Sequence, residues 1–178
     1  MFLLSFAQWL QGTGFATALR GSWYVYPVVL SLHLVFIAFF GGMIFVVNMR
    51  LLGLAFRSYS ISDLINQLRW PKRIGFLLVL TCGALLASSK AEEYYYNVFF
   101  WMKMTLLALI FIHGLIFRRS VYRNTALDKA PVIPGAAKLA ASLSFVLWIS
   151  VAIAGRGIGY IEPPIEKLHA LLRYVAPF

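Results

Sequence analysis

His33, Lys103 and His113 carry most of the chemistry that this chain could perform, and each is set in a long apolar run. A ring nitrogen or an ammonium group inside hydrocarbon costs free energy unless it finds a partner. Polar side chains at that depth therefore mark functional sites by default. Imidazole is the commonest side-chain ligand for a transition metal, and a thioether such as Met102 or Met104 is a softer one. Arg156, with Lys90 and Arg20, offers cations that could hold carboxylates or pair with Glu92, Glu93 or Glu162. Structural readings stand beside the functional ones. His33 and His113 could each hydrogen-bond a neighbouring helix, and Lys103 could snorkel to the headgroups. His169 reads as interfacial, and Cys82 as a small buried side chain.

The elements that must position these residues follow from composition. The chain has 178 residues, of which 61% are hydrophobic and 12% charged, with a mean hydropathy of +0.80. Soluble domains carry roughly 25% charge, so this is a chain built for lipid. Four runs approach the roughly 20 residues that a spanning helix needs. They lie at 27–54, 71–89, 98–117 and 139–158, with Pro71 tolerated in a first helical turn. The net charge of +10 does not point to nucleic acid, because the cations fall in two clusters between apolar spans. Arg50, Arg57, Arg69, Lys72 and Arg73 form one, and Arg118, Arg119, Arg123, Lys129 and Lys138 form the other. Both clusters belong on the cytoplasmic side. The expectation is an all-α integral membrane four-helix bundle, N-out and C-out, forming a single domain over 1–178 in a bacterial inner membrane.

Flanking stretches look interfacial. Phe2, Leu3, Phe6, Trp9 and Leu10 recur at helical spacing within 2–19, with Gln8 and Gln11 on the remaining surface. Pro163-Pro164 opens an amphipathic tail over 163–176. Both fit helices lying on the outer membrane surface, with Trp23, Tyr24, Tyr26, Tyr94, Tyr95, Tyr96 and Tyr160 as an aromatic belt. The N-terminal stretch lacks the basic region of a cleavable signal peptide, and one cysteine excludes an internal disulfide.

Depth separates the candidates. A rise of about 1.5 Å per residue puts His33 roughly 9 Å and Lys103 roughly 8 Å below the outer boundary. The same rise puts His113 roughly 8 Å from the inner boundary, so the histidines differ in height by about 13 Å in a core of about 30 Å. A His33–iron–His113 pair would need substantial tilt, whereas His33, Lys103 and Met102 share a level. A haem b in the outer half, with His33 as axial ligand and Lys103, Met102 or His113 as the second, is the leading expectation. Gly41 and Gly42, midway along the first span, suit close helix packing or a flat macrocycle.

Other chemistries lack residues. No Asp or Glu falls inside a predicted span, which argues against a proton-coupled transporter or an intramembrane aspartyl protease. There is no HExxH pair or Ser/His/Asp set, and the glycines of 155–159 close a membrane helix rather than open a phosphate loop.

Two segments carry a resemblance. Leu32-His33-Leu34, then Gly41-Gly42, then Asn48-Met49-Arg50-Leu51-Leu52-Gly53 resembles the first span of the copper-resistance D family. Phe100-Trp101-Met102-Lys103, ending in Ile112-His113, resembles a span of the membrane-embedded, haem-associated protoporphyrinogen oxidases. In those oxidases a His and a Lys from different spans are the characteristic polar pair, which the resemblance maps onto His33 and Lys103. The Arg50-Leu51-Leu52-Gly53 motif is also similar to that of an uncharacterised family of small bacterial four-span proteins. The resemblance implies haem binding, and the expected role is electron transfer between membrane quinone and an outer-side redox partner or a haem-linked oxidation. A cofactor-free subunit of a larger membrane complex, or copper handling by His33 with Met43, Met102 or Met104, are the alternatives.

Overall fold

The computed structural model describes residues 2–117, 121, 128 and 133–161. The amphipathic tail, His169 and the cations Arg118, Arg119, Arg123 and Lys129 lie outside them. Among the described residues there are eight α-helices and no strand: α1 Phe2–Gly12, α2 Gly14–Gly21, α3 Val25–Leu52, α4 Ile61–Gln67, α5 Arg69–Ser89, α6 Ala91–Tyr96, α7 Val98–Phe117 and α8 Gly135–Ile158. Four of them, α3, α5, α7 and α8, are long and apolar enough to cross a membrane. Each span begins within about four residues of its expected start. The largest difference is at α8, which already runs from Gly135, directly after Pro134.

α3 packs along both α5 and α8, and α8 packs along α7, while α5 and α7 share no extensive interface. Small residues let α8 approach its neighbours. Ala137, Ala140, Ala141, Ser144 and Ala154 are all buried on its inward side, the way spanning helices gain van der Waals contact without a hydrophobic driving force. Phe45 meets Phe145 and Phe40 meets Trp148 edge-on across the α3–α8 contact. At the end that carries the basic cluster between α3 and α5, taken as the inner end, Val47, Leu51, Ile61, Val121, Ala137, Ala140 and Ala141 close one apolar cluster.

Gly41 and Gly42 do not mediate helix contact. A Cβ added at either meets no other atom within 4 Å. The close approaches fall on other glycines. Gly75 receives Phe39, Phe40 and Met43, Gly83 receives His33, Gly155 receives Lys103, and Gly157 receives the ring of Phe99. Packing in this bundle is decided by which glycine faces a neighbour, and the pair in α3 faces none.

The Arg50-Leu51-Leu52-Gly53 motif stops α3. Gly53 takes φ +74, a left-handed conformation that costs an L side chain roughly 1–2 kcal/mol. Its N–H donates to the Arg50 carbonyl and that of Leu54 to Met49, the Schellman pattern that satisfies a helix's last carbonyls. Leu51 is fully buried, and Arg50 Nε donates to the Tyr59 carbonyl across the turn that follows.

At the opposite end the expected interfacial helix over 2–19 is two helices. Thr13 leaves helical geometry at ψ 145 and its hydroxyl accepts from the Ala16 N–H, capping α2. Gln8 and Gln11 turn toward the protein: Gln8 donates to the Glu92 carboxylate, and Gln11 accepts from the Glu92 N–H. Phe2, Phe6 and Trp9 remain exposed, the disposition of a helix that lies along a membrane surface.

Candidate functional site

Among the described residues, the buried polar side chains of the inner half are hydrogen-bonded. His113 of α7 is buried, and its Nε2 lies 3.0 Å from the Ala140 carbonyl of α8. A carbonyl only accepts, so Nε2 carries the proton and donates. One turn along α7 the Phe117 ring lies 4.9 Å from the imidazole, centroid to centroid. Nearby in the same half, Asn48 of α3 donates to the Ser144 hydroxyl of α8 at 2.9 Å, both residues being buried. These two bonds tie α8 to the helices on either side of it.

The outer half differs. His33 of α3 is 8% exposed, and its Nδ1 is the one buried side-chain nitrogen or oxygen among the described residues with no hydrogen-bond partner. The ring lies over α5 beside the Val79 backbone, with Cε1 3.2 Å from where a Cβ on Gly83 would sit. A side chain at Gly83 would press on the imidazole. Lys103 of α7 lies across Gly155 of α8, its Nζ 3.7 Å from a Cβ there. It is close enough to His33 for charge on one to bear on the other, and among the described residues it forms no ion pair. The two side chains come from helices with no extensive interface, and each lies against a glycine of a further helix, Gly83 of α5 and Gly155 of α8.

An aromatic roof stands above them. Tyr26 precedes His33 by two turns on α3, and Phe100 precedes Lys103 by one turn on α7, so each pair shares a face. Tyr94 of α6 stacks on Phe100 at 5.4 Å with the planes 16° apart. Burial and the neighbouring Tyr26 push the Tyr94 phenol well above its ordinary pKa. Tyr26, Tyr94, Tyr95 and Tyr96 are half-buried, unlike Trp23, Tyr24 and Tyr160, which stand exposed as belt residues do.

The remaining candidates fall elsewhere. His113 bonds near the inner end of α8, whereas His33 sits six residues from the outer end of α5, so the two histidines are not brought together. Met102 and Met104 are exposed, and Met43 is spent on Gly75. Arg156 donates to the Tyr160 hydroxyl at 3.0 Å and lies over its ring. Lys90 pairs with Glu93 at 3.0 Å, and Arg20 donates to the Ser89 carbonyl. Among the described residues no group of three His, Cys, Asp or Glu side chains could hold a metal ion.

Asn97, directly before α7, is a structural residue that the apolar spans do not reveal. Its Oδ1 accepts the N–H groups of Phe99 and Phe100, capping α7, while its Nδ2 donates to the carbonyls of Ile158, the last residue of α8, and Ile161 beyond it. The signal was present, since Asn directly before an apolar run is a preferred N-cap.

The fold and these groups define a small all-helical membrane protein with one unpartnered buried imidazole nitrogen in one half of its bundle. Residues 7–161 match the model of the family of unknown function DUF6644, and the chain belongs to that family. No curated protein and no solved structure matches the chain.

Proposed function

We propose that the outer half of this bundle holds a haem b, with His33 supplying the axial nitrogen and Lys103 the second polar contact. The observation that carries this reading is the unpartnered Nδ1 of a buried imidazole, because burying a polar atom without a hydrogen bond costs roughly 1–3 kcal/mol on protein scales. Such a site persists when a ligand repays that cost. The donor set suits a group that brings its own equatorial ligands: one imidazole and one amine are too few to enclose a bare ion, but enough for the axial positions of a macrocycle. Lys103 would serve as the second ligand or neutralise a propionate. Haem supplies one-electron exchange, and the protein tunes it through the axial ligand and a dry, low-dielectric setting. The role would be electron transfer from a membrane quinol to an outer-side partner, or a haem-linked oxidation, in a bacterial inner membrane.

The second reading is a cofactor-free subunit of a larger membrane complex. It is favoured by an outer face whose described charges Arg20, Lys90, Glu92, Glu93 and Arg156 find partners within the protein and which leaves Phe2, Phe6, Trp9 and Trp23 uncovered. Optical spectroscopy separates the two. Protein purified in detergent from haem-replete cells should show a Soret band, with α and β bands sharpening after dithionite. His33→Ala should lose them, and Ser144→Ala should keep them. A parent protein with no Soret band removes the haem reading.

A further inference from the structure

The two ends of the bundle treat charge differently. At the outer end, Lys90, Glu92, Glu93, Arg20 and Arg156 all have partners within the protein. At the inner end, Arg50 and Arg57 are spent on the carbonyls of Tyr59 and Gly53, which hold the turn after α3. Arg69, Lys72, Arg73 and Lys138 form no ion pair among the described residues. The two described carboxylates at that end take none of them. Asp63 has no ion pair, and Asp128 accepts from the Ser62 N–H instead.

Three of these cations are concentrated. Arg69, Lys72 and Arg73 sit at i, i+3 and i+4 of α5 and so project from one face. They open a helix whose first turn carries no acidic residue. Like charges this close repel one another, and an amino-terminal helix end is the wrong end for cations, so the arrangement calls for a counter-charge from outside the chain. The geometry also suits one. Lys72 is half-buried, and Arg73 lies over the Trp70 ring at 5.3 Å, a stacking that occupies the guanidinium's face and leaves its edge donors free. Trp70 is 63% exposed at the level where indoles anchor in headgroups.

We propose that this corner between α4 and α5 is a docking surface for an acidic phospholipid, whose phosphodiester anion is held by Arg69, Lys72 and Arg73. The inference is independent of whether haem binds the outer half. A lipid is the committed occupant because the cations share one face at the membrane end of a spanning helix, where anionic headgroups are concentrated and each nearby cation contributes about fivefold to their preference.

The test is thermal unfolding of the full chain in neutral detergent, titrated with phosphatidylglycerol, phosphatidylcholine or inorganic phosphate at equal phosphorus. Phosphatidylglycerol should raise the midpoint and phosphatidylcholine should not, with the difference fading as salt is raised. Arg69→Gln/Arg73→Gln should weaken the phosphatidylglycerol response by more than tenfold in lipid concentration, and Lys72→Met by about fivefold. Equal shifts with the two lipids would overturn the proposal, as would a full response in both variants. A shift reproduced by inorganic phosphate alone would replace the lipid with a free-anion site. Should a variant fail to fold, the comparison of lipids on the parent chain still decides.

Discussion

His113 and His33 are the same side chain in the same kind of helix, equally buried, and the bundle uses them in opposite ways. His113 gives its Nε2 proton to a carbonyl of α8, in a half where Asn48 and Ser144 also satisfy each other. His33 rests on a glycine, with a ring nitrogen that bonds to nothing. The inner half therefore resembles a finished helix interface in which polar groups act as glue. The outer half keeps a polar group at a cost, and the cost identifies it as the place where function is to be sought. A histidine in a membrane span is thus not informative by itself. What distinguishes the two is that a buried ring nitrogen of His33 is left without a partner.

The largest expected effect tests whether the outer half has a structural framework separate from its polar pair. Asn97→Ala removes the cap of α7 and the latch to the end of α8 together, four hydrogen bonds in all. An N-cap is worth about 1 kcal/mol and each remaining bond about 0.6 kcal/mol, so a loss of roughly 2 kcal/mol is expected. Equilibrium unfolding in mixed micelles measures it. A neutral outcome would mean that α7 and α8 are held by packing alone.

The histidines come next, and there the comparison predicts opposite signs. His113→Leu should destabilise by about 1 kcal/mol, within the range measured for interhelical bonds in membranes. His33→Leu should be neutral or stabilising in the cofactor-free protein, since it removes an unsatisfied polar atom. Equal losses from the two substitutions would erase the distinction between the halves. A smaller effect sharpens the same point: a double-mutant cycle on Asn48→Leu and Ser144→Ala should return a coupling of about 0.6 kcal/mol. A cycle on His33 and Lys103 in the cofactor-free protein should return none or a repulsion.

Apolar run length and loop charge made the four spans legible in the sequence, because both report directly on the solvent a segment occupies. Depth arithmetic likewise separated His113 from His33 and set Lys103 level with His33. The glycine roles were not legible. Gly41-Gly42 and Gly83 have the same local signature, and only the azimuth of the neighbouring helix decides that a side chain lands on the second and not the first. The single expected amphipathic helix failed at Thr13 for a local reason, since a capping hydroxyl between two glycines outweighs continuous apolar spacing. Asn48 was hidden in a motif whose visible feature was Arg50 to Gly53. That motif proves to end a helix rather than to do chemistry.

The smallest effect concerns Tyr94, which joins the roof of the outer half to α3. Burial and Tyr26 raise its phenol above the ordinary value of 10.0, so the folded state holds that proton more tightly than the unfolded chain does. The sign follows from linkage: below about pH 10 both states are protonated, and the contribution of Tyr94 to stability is fully present. Above that pH the unfolded state ionises first, and the contribution is lost progressively as pH rises toward the folded value. Stability measured between pH 8 and 11 should be flat with respect to Tyr94 at first and fall at the alkaline end. Tyr94→Phe, which retains the stack on Phe100 but loses the hydroxyl facing Tyr26, should flatten that fall and cost about 0.5 kcal/mol at neutral pH. The same alkaline fall in parent and variant would place Tyr94 in the exposed belt with Tyr24 and Tyr160, and would detach the roof from the site beneath it.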